Sequence, residues 1–173
     1  MIKLINFSLK ALIIILISVF LLIFSAFFYF SSGLPDYKKL SNYQPPISSR
    51  VYSKDGKLIA EYALEKRLFV PYETIPNKVI NSFLSAEDKN FFNHPGVDAK
   101  GILRATINNI KNILGDKRLE GASTITQQVA KNFLLTNGVS LKRKIKEAIL
   151  AFRIENAYSK KRILELYLNQ IYL

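Results

Sequence analysis

The stretch Gly121-Ala122-Ser123-Thr124-Ile125-Thr126-Gln127-Gln128-Val129-Ala130-Lys131-Asn132 decides how the chain is read. Thr124 and Gln127 stand at N-cap and N3 spacing, which predicts a capping box and a helix that starts there. Thr124, Gln127, Gln128 and Lys131 then fall on one helical face. Two readings of that face stay open. It is the polar solvent side of a capped helix, or it is an anion site. In the second reading a phosphate oxygen meets Ser123 or Thr124, an amide, the Lys131 ammonium and the free N–H groups of the first turn.

Working outward, residues 77 to 92 carry Val79, Ile80, Phe83, Leu84, Ala86 and Phe91 at helical period, and His94-Pro95-Gly96 breaks it. Residues 98 to 114 form a second helix with Ile102, Leu103, Ala105, Ile107, Ile110 and Ile113 apolar. A charged loop runs from Gly115 to Gly121. The opening stretch continues as helix to about Leu135, and further helices follow from Leu141 to Tyr158 and from Lys160 onward. Upstream, Lys54-Asp55-Gly56-Lys57 between Arg50-Val51-Tyr52 and Leu58 to Ala63 is a hairpin signal. Arg67 to Val70, stopped by Pro71, adds a third short strand in this reading. The fold class expected is mainly α with a small N-terminal β-hairpin.

Residues 11 to 30 hold no charge. A helix of about 20 such residues rises about 30 Å, the thickness of a bilayer's hydrocarbon core. The run is longer than the apolar region of a cleaved signal peptide, about 7–15 residues, and ends in aromatics, so it reads as an uncleaved transmembrane anchor. Lys3 and Lys10 precede it, which keeps residues 1 to 10 in the cytoplasm and exports the rest; Lys38 and Lys39 weaken that asymmetry. Residues 31 to 48, with Ser31-Ser32-Gly33, Pro35 and Pro45-Pro46, read as a linker lifting a domain of residues 49 to 173 off the bilayer.

The chain has no cysteine and one histidine, His94. Thiolate and histidine-based metal sites are excluded, and a Ser-His triad could use only that residue. Of the net charge of +12, most lies between Lys100 and Arg162, where 14 Lys or Arg face Asp116, Glu120, Glu147 and Glu155. Such a field favours a polyanion, or is a solvated face. Next to an anchor it points to lipid phosphate and membrane lipids rather than nucleic acid, since the basic residues show no interleaving with aromatics.

Two carboxylates flank the opening stretch. Glu87 lies near a helix end beside Phe91 and Phe92; it is a surface acid, or a general base whose basicity apolar surroundings raise. The local pattern favours the surface reading, and for His94 a packed, hydrogen-bonded turn residue. Glu147 follows Arg143 (i−4) and Lys144 (i−3). Leu141, Ile145, Ala148, Ile149 and Phe152 form an apolar stripe nearly opposite it, which makes it half of a surface salt bridge. Leu150, Ala151 and Ile154 also lie towards Glu147, so the alternative is a helix packed on two sides with this carboxylate in a cleft.

Together these segments resemble the peptidoglycan glycosyltransferase domain of class A penicillin-binding proteins, the family 51 glycosyltransferases. The likeness runs from about Arg50 to the last residue. Glu87-Asp88-x-x-Phe91-x-x-His94-x-Gly96 looks like the first motif of that family, and Gly121-x-Ser123-Thr124-Ile125-Thr126-Gln127-Gln128-x-x-Lys131-Asn132 like the second. Arg143-Lys144-x-x-Glu147 looks like the third, and Lys160-x-x-Ile163-Leu164-Glu165-x-Tyr167-Leu168-Asn169-x-Ile171 like the fourth. The spacing to Glu155 is one residue off the family pattern, so Glu155 is given no role.

The resemblance implies a lysozyme-like fold and processive polymerisation of lipid II into β-1,4 glycan with release of undecaprenyl pyrophosphate. The growing glycan strand is the donor and lipid II the acceptor. Glu87 is then the general base on the acceptor 4-hydroxyl. Glu147 assists from the donor side, orienting groups or holding a divalent cation such as Mg²⁺. Ser123, Thr124, Gln127, Gln128, Lys131, Arg143 and Lys144 stabilise the leaving pyrophosphate, a task that needs electrostatic stabilisation. Partners implied are inner-membrane lipids and the cell-wall synthesis machinery. The family pattern continues beyond Leu173 and carries a transpeptidase domain; no Ser-x-x-Lys occurs here, so the chain reads as a C-terminally truncated domain. Two other readings are a lysozyme-like glycan-cleaving enzyme and an inactive membrane-tethered fragment that binds lipid II or a protein partner.

Overall fold

The computed structural model describes residues 2–41, 43, 49–62, 69–115, 117–136, 138 and 140–170. The chain is mostly helical. Helix α1 (Ile2–Ser31) is followed by the antiparallel pair β1 (Ser49–Tyr52) and β2 (Leu58–Tyr62). Helices α2 (Asn77–Glu87), α3 (Ala99–Leu114), α4 (Ile125–Leu134), α5 (Leu141–Ala157) and α6 (Lys160–Gln170) complete the order.

The segment Lys10–Ser31 of α1 is 22 residues long and strongly apolar, and none of its described side chains is buried. At 1.5 Å per residue that is about 33 Å, long and apolar enough to cross a membrane. The hairpin forms where the Asp-Gly signal sits: Gly56 has φ +74°, and its N–H donates to the Ser53 carbonyl at 3.0 Å. Register runs Ser49 to Tyr62 through Val51 to Ala60, with an irregularity between Val51 and Tyr52. The expected third strand does not form at Phe69 and Val70; Arg67 and Leu68 lie outside the described residues. The Asn169 side chain replaces a strand partner there, accepting from the Val70 N–H at 2.8 Å and donating to its carbonyl at 2.9 Å.

Helix α4 is the centre of the core. Ile125, Val129 and Ala130 pack between Leu150 and Ile154 of α5 and Ile163, Leu164, Leu166 and Tyr167 of α6, with Ile80 and Phe91 closing the cluster. Each large aliphatic side chain buried there contributes about 1.5–3 kcal/mol. Helix α5 turns Glu147, Leu150, Ala151 and Ile154 inward, while Leu141 and Phe152 are exposed. The Glu147 side is buried, and the surface salt-bridge reading of Glu147 does not hold. Ile149 of the opposite stripe is buried as well, so the alternative offered by the apolar pattern, a helix packed on two sides with Glu147 in a cleft, is the one observed.

Helix α3 is attached the other way round. Only Gly101 and Ala105 are buried, and Ile102, Leu103, Ile107, Ile110, Ile113 and Leu114 face outward, the last 85% exposed. The polar side does the fastening. Asn109 exchanges hydrogen bonds with the Glu120 backbone at 2.7 and 3.0 Å, Asn108 donates to the Glu120 carboxylate at 3.1 Å, and Asn112 donates to the Arg118 carbonyl at 3.1 Å.

The segment after α1 is not a free spacer. Of residues 31 to 48, the described ones run to Ser41 and include Tyr43; Pro45-Pro46 lie outside them. A 3₁₀ turn, Tyr37–Leu40, capped by Asp36, drops Leu40 into the helical core at 2% exposure. The Tyr158 hydroxyl donates to the Tyr37 carbonyl at 3.1 Å, and Arg153 of α5 hydrogen-bonds the Ser31 hydroxyl at the end of α1. Leu40→Ala is expected to cost about 2–5 kcal/mol of stability, as for any leucine in a closed core. Denaturant unfolding of the detergent-solubilised chain measures it; a change under 0.5 kcal/mol, the usual size of a surface effect, would mean that the turn is not part of the core.

Candidate active site

The site begins where α2 stops. Its periodicity would carry the helix to Phe92, yet it ends at Glu87, and Asp88 takes φ −158°, ψ 76°. The cause lies 37 residues away. The buried Asp88 carboxylate accepts the Ile125 N–H at 3.0 Å and the His94 Nε2–H at 3.0 Å. His94 Nδ1 accepts from the Gly96 N–H at 3.1 Å, which assigns the proton to Nε2. His94 is thus the packed turn residue expected of it. Gly96 has φ +94°, and a Cβ there would lie 2.8 Å from the Ala151 carbonyl carbon and oxygen, so only glycine lets this turn touch α5.

The capping box at α4 is present as predicted. The Thr124 hydroxyl accepts the Gln127 N–H at 3.2 Å, and Gln127 Oε1 accepts the Thr124 N–H at 3.0 Å. Thr124 also donates to the Gly96 carbonyl at 2.6 Å. This changes the anion-site reading. The Ile125 N–H is taken by Asp88 and the Gln127 N–H by Thr124, so the α4 N-terminus already holds an anion, the chain's own carboxylate. Binding of an external anion falls to side chains.

Those side chains line a cleft of about 430 Å³ with Glu87, Ser123, Gln127, Gln128, Lys131, Arg143, Lys144 and Glu147 in its walls. Every residue expected at the site is there except Thr124, which lines a second cleft of about 400 Å³ together with Asn90, Asp98, Arg104, Asn108 and Glu120. Glu87 and Ser123 belong to both clefts. Glu87 itself is exposed and accepts from Gln128 Nε2 at 2.8 Å. In the second cleft the Gly101 N–H holds the Asp98 carboxyl below its ordinary range, keeping the α3 cap ionised.

Glu147 is 2% exposed, with Lys144 Nζ 2.9 Å from one oxygen and Arg143 Nε 3.0 Å from the other. Lys144 also donates to the Ser123 hydroxyl at 2.8 Å. A buried carboxylate survives only with such compensation. Both oxygens face cations, and among the described residues no group of three or more His, Cys, Asp or Glu comes together. The residues do not fit a Mg²⁺ site at Glu147; its geometry is that of a counter-ion holding two cations at the cleft wall.

Four contacts lay outside the sequence reading. Glu155 accepts from Thr126 at 2.5 Å and from Lys160 at 2.8 Å, and Lys160 also donates to the His94 carbonyl at 2.7 Å while lying 4.4 Å from the Phe91 ring centroid. Glu155 thus has a structural place that its spacing did not suggest. The signal was available only as Lys160 heading the fourth motif.

The transglycosylase family profile matches residues 55–173. The chain belongs to the transglycosylase family, a glycosyltransferase domain of the kind its four motifs resemble. It is 61% identical over 145 residues to penicillin-binding protein 1A of Rickettsia felis, covering 84% of this chain and 18% of that protein. It is 47% identical over 161 residues to penicillin-binding protein 1A of Aquifex aeolicus, covering 93% of this chain and 22% of that protein. The penicillin-binding protein 1A of Pseudomonas aeruginosa is 47% identical over 148 residues, covering 86% of this chain and 18% of that protein. The chain thus spans about a fifth of the length of these relatives.

Asp88→Asn is expected to lower stability by about 1–3 kcal/mol. One atom of the new amide is an NH₂ group, which must face either the Ile125 N–H or the His94 Nε2–H, donor against donor. Thermal unfolding followed by circular dichroism measures the loss, and an unchanged melting curve would remove Asp88 from this role.

Proposed function

We propose that the chain polymerises lipid II, joining the growing glycan strand to the 4-hydroxyl of the next lipid II and releasing undecaprenyl pyrophosphate. The observation that carries this reading is the position of Glu87 on the boundary of two unlike clefts. One is walled by Lys131, Arg143 and Lys144 and suits a pyrophosphate. The other mixes charges, with Asn90, Asp98, Asn108 and Glu120 beside Lys89 and Arg104, and its amide and carboxylate groups suit sugar hydroxyls.

In this mechanism the Glu87 carboxylate takes the proton of the acceptor 4-hydroxyl as its oxygen attacks the donor anomeric carbon. The bond from that carbon to the pyrophosphate oxygen breaks on the opposite face, so an α-linked donor yields a β-1,4 bond. The electron pair leaves with the pyrophosphate. Lys131, Arg143 and Lys144 stabilise the charge that develops there, with Ser123 and the Gln127 and Gln128 amides beside them. Glu147 keeps Arg143 and Lys144 in place. The lysozyme-like arrangement implied by the motifs fits this two-sided cleft.

A glycan-cleaving enzyme would act on a neutral bond and has no use for three cations beside its acid. A lipid-linked substrate also fits the rest of the chain. Helix α1 spans the membrane with Lys3 and Lys10 on the cytoplasmic side, and the outward apolar face of α3 rests on the lipid surface next to the site.

The test is lipid II polymerisation by the detergent-purified chain. Glu87→Gln is expected to lose at least about a hundredfold in rate, the contribution of one general base. Its melting temperature should stay unchanged, because Glu87 is exposed. Equal polymer from both proteins would remove Glu87 as the base, and cleavage of preformed strands with no polymerisation would favour the hydrolytic reading.

A further inference from the structure

Tyr167 lies on α6, 2% exposed, and its hydroxyl is buried without a hydrogen-bond partner among the described residues. Its ring meets Phe83 edge-on, centroids 6.1 Å apart at 80°. Phe83 stands one helical turn before Glu87 on the same face of α2. The Tyr167 ring therefore packs against the side of α2 that carries Glu87 one turn further on, and its hydroxyl is in the interior. A core normally gives every buried O–H an acceptor, and phenylalanine would fill the same space without the unmet donor. Such a group calls for a reason, and the carboxylate one turn along α2 from Phe83 is Glu87. Burial and then the Glu87 charge push the Tyr167 phenol up to about 12, so it stays a neutral donor at physiological pH.

Glu87 is the last residue of its helix, and its Oε2 is held by one donor, Gln128 Nε2. Gln128 also lines the cation-walled cleft, where an incoming anion competes for its amide. Once Gln128 turns to that anion, the exposed carboxylate loses the contact that aims it. We propose that the Tyr167 hydroxyl is the positioning group for Glu87, an interior donor that engages the carboxylate when Gln128 is drawn to substrate. This rests on the reading of Glu87 as the base.

A hydrogen bond donated to a carboxylate favours its charged form. Losing it raises the pH at which the base becomes protonated. Other groups around Glu87 set the background: Asp88 and Lys89 on its own segment, Lys131 on α4, Arg143, Lys144 and Glu147 on α5, and Asp98, Arg104 and Glu120 across the second cleft. Tyr167→Phe leaves all of these in place.

The experiment compares the chain with Tyr167→Phe in detergent, using lipid II turnover, thermal unfolding and ¹³C NMR of glutamate carboxyls, with the Glu87 signal assigned by its loss in Glu87→Gln. For Tyr167→Phe we expect kcat to fall about tenfold with KM held, the loss of one hydrogen bond to a charged group in the reacting complex. The acid limb of the pH–rate profile and the Glu87 titration midpoint in the presence of inorganic pyrophosphate should both move up by about half to one pH unit. The melting temperature should hold or rise, because an unmet donor has gone. An unmoved midpoint and profile would overturn the proposal, and a lower melting temperature alongside them would assign Tyr167 to packing alone. If the midpoint moves while Glu87→Gln still polymerises at the wild-type rate, the contact stands and the base reading falls.

Discussion

One carboxylate holds the site together. Asp88 sits at the N-terminus of α4, where the helix dipole and a free N–H favour a negative charge, and it takes His94 on its other side. This contact stops α2 at Glu87, so that carboxylate is delivered at a helix end rather than along a helix face. The same contact seats the first turn of α4, and Gln128 on that turn reaches Glu87. Gly96 then closes against α5 through Thr124 and Ala151, bringing the Arg143–Lys144–Glu147 wall to the opposite side of the cleft. Acid, amide and cations are three separate segments of sequence, and a single buried anion sets their spacing.

Charge in the cleft is handled by substitution. Helix α4 offers its N-terminus to Asp88, and Glu147 occupies the space between Arg143 and Lys144. Asp88 is covered by N–H donors, and Glu147 takes a hydrogen bond from Lys144 on one oxygen and the Arg143 charge at 3.0 Å from the other. The cationic wall therefore stays ordered in the protein itself, which suits electrostatic stabilisation that needs no rearrangement as charge develops. Lys131 adds a charge that neither internal carboxylate takes up in the contacts described. The wall keeps a positive surplus, which suits the pyrophosphate of the proposed reaction.

What could be read from the sequence was local. The Thr124–Gln127 capping box, the Asp55-Gly56 turn and the apolar run of α1 depend on neighbours within four residues, and each appears as read. The class of domain was legible because its motifs are themselves local strings. The end of α2 was not legible, because its cause is the Ile125 N–H far along the chain. The inward turn of Glu147 depends on which side of α5 meets α4. The inverted α3 reads as an ordinary amphipathic helix until its asparagines are seen fastening the loop at Glu120. The Asn169 bracket around Val70 replaces a strand that hydropathy alone would draw. Segments 31 to 41 look like a linker by composition, and only Leu40 in the core shows otherwise.

That last feature bears on how the molecule works in two dimensions. With Leu40 in the core and Arg153 bonded to Ser31, the long apolar helix is joined to the domain as a mast rather than a tether. A tethered domain searches a hemisphere above its anchor and meets substrate in any orientation. A masted one has a set height and a set heading, and it turns only as its helix turns in the bilayer. On the proposed reading, with α1 in a bilayer and a lipid-linked substrate, its cleft sweeps a circle parallel to the membrane plane, and encounter with substrate becomes a problem of lateral diffusion and compass bearing.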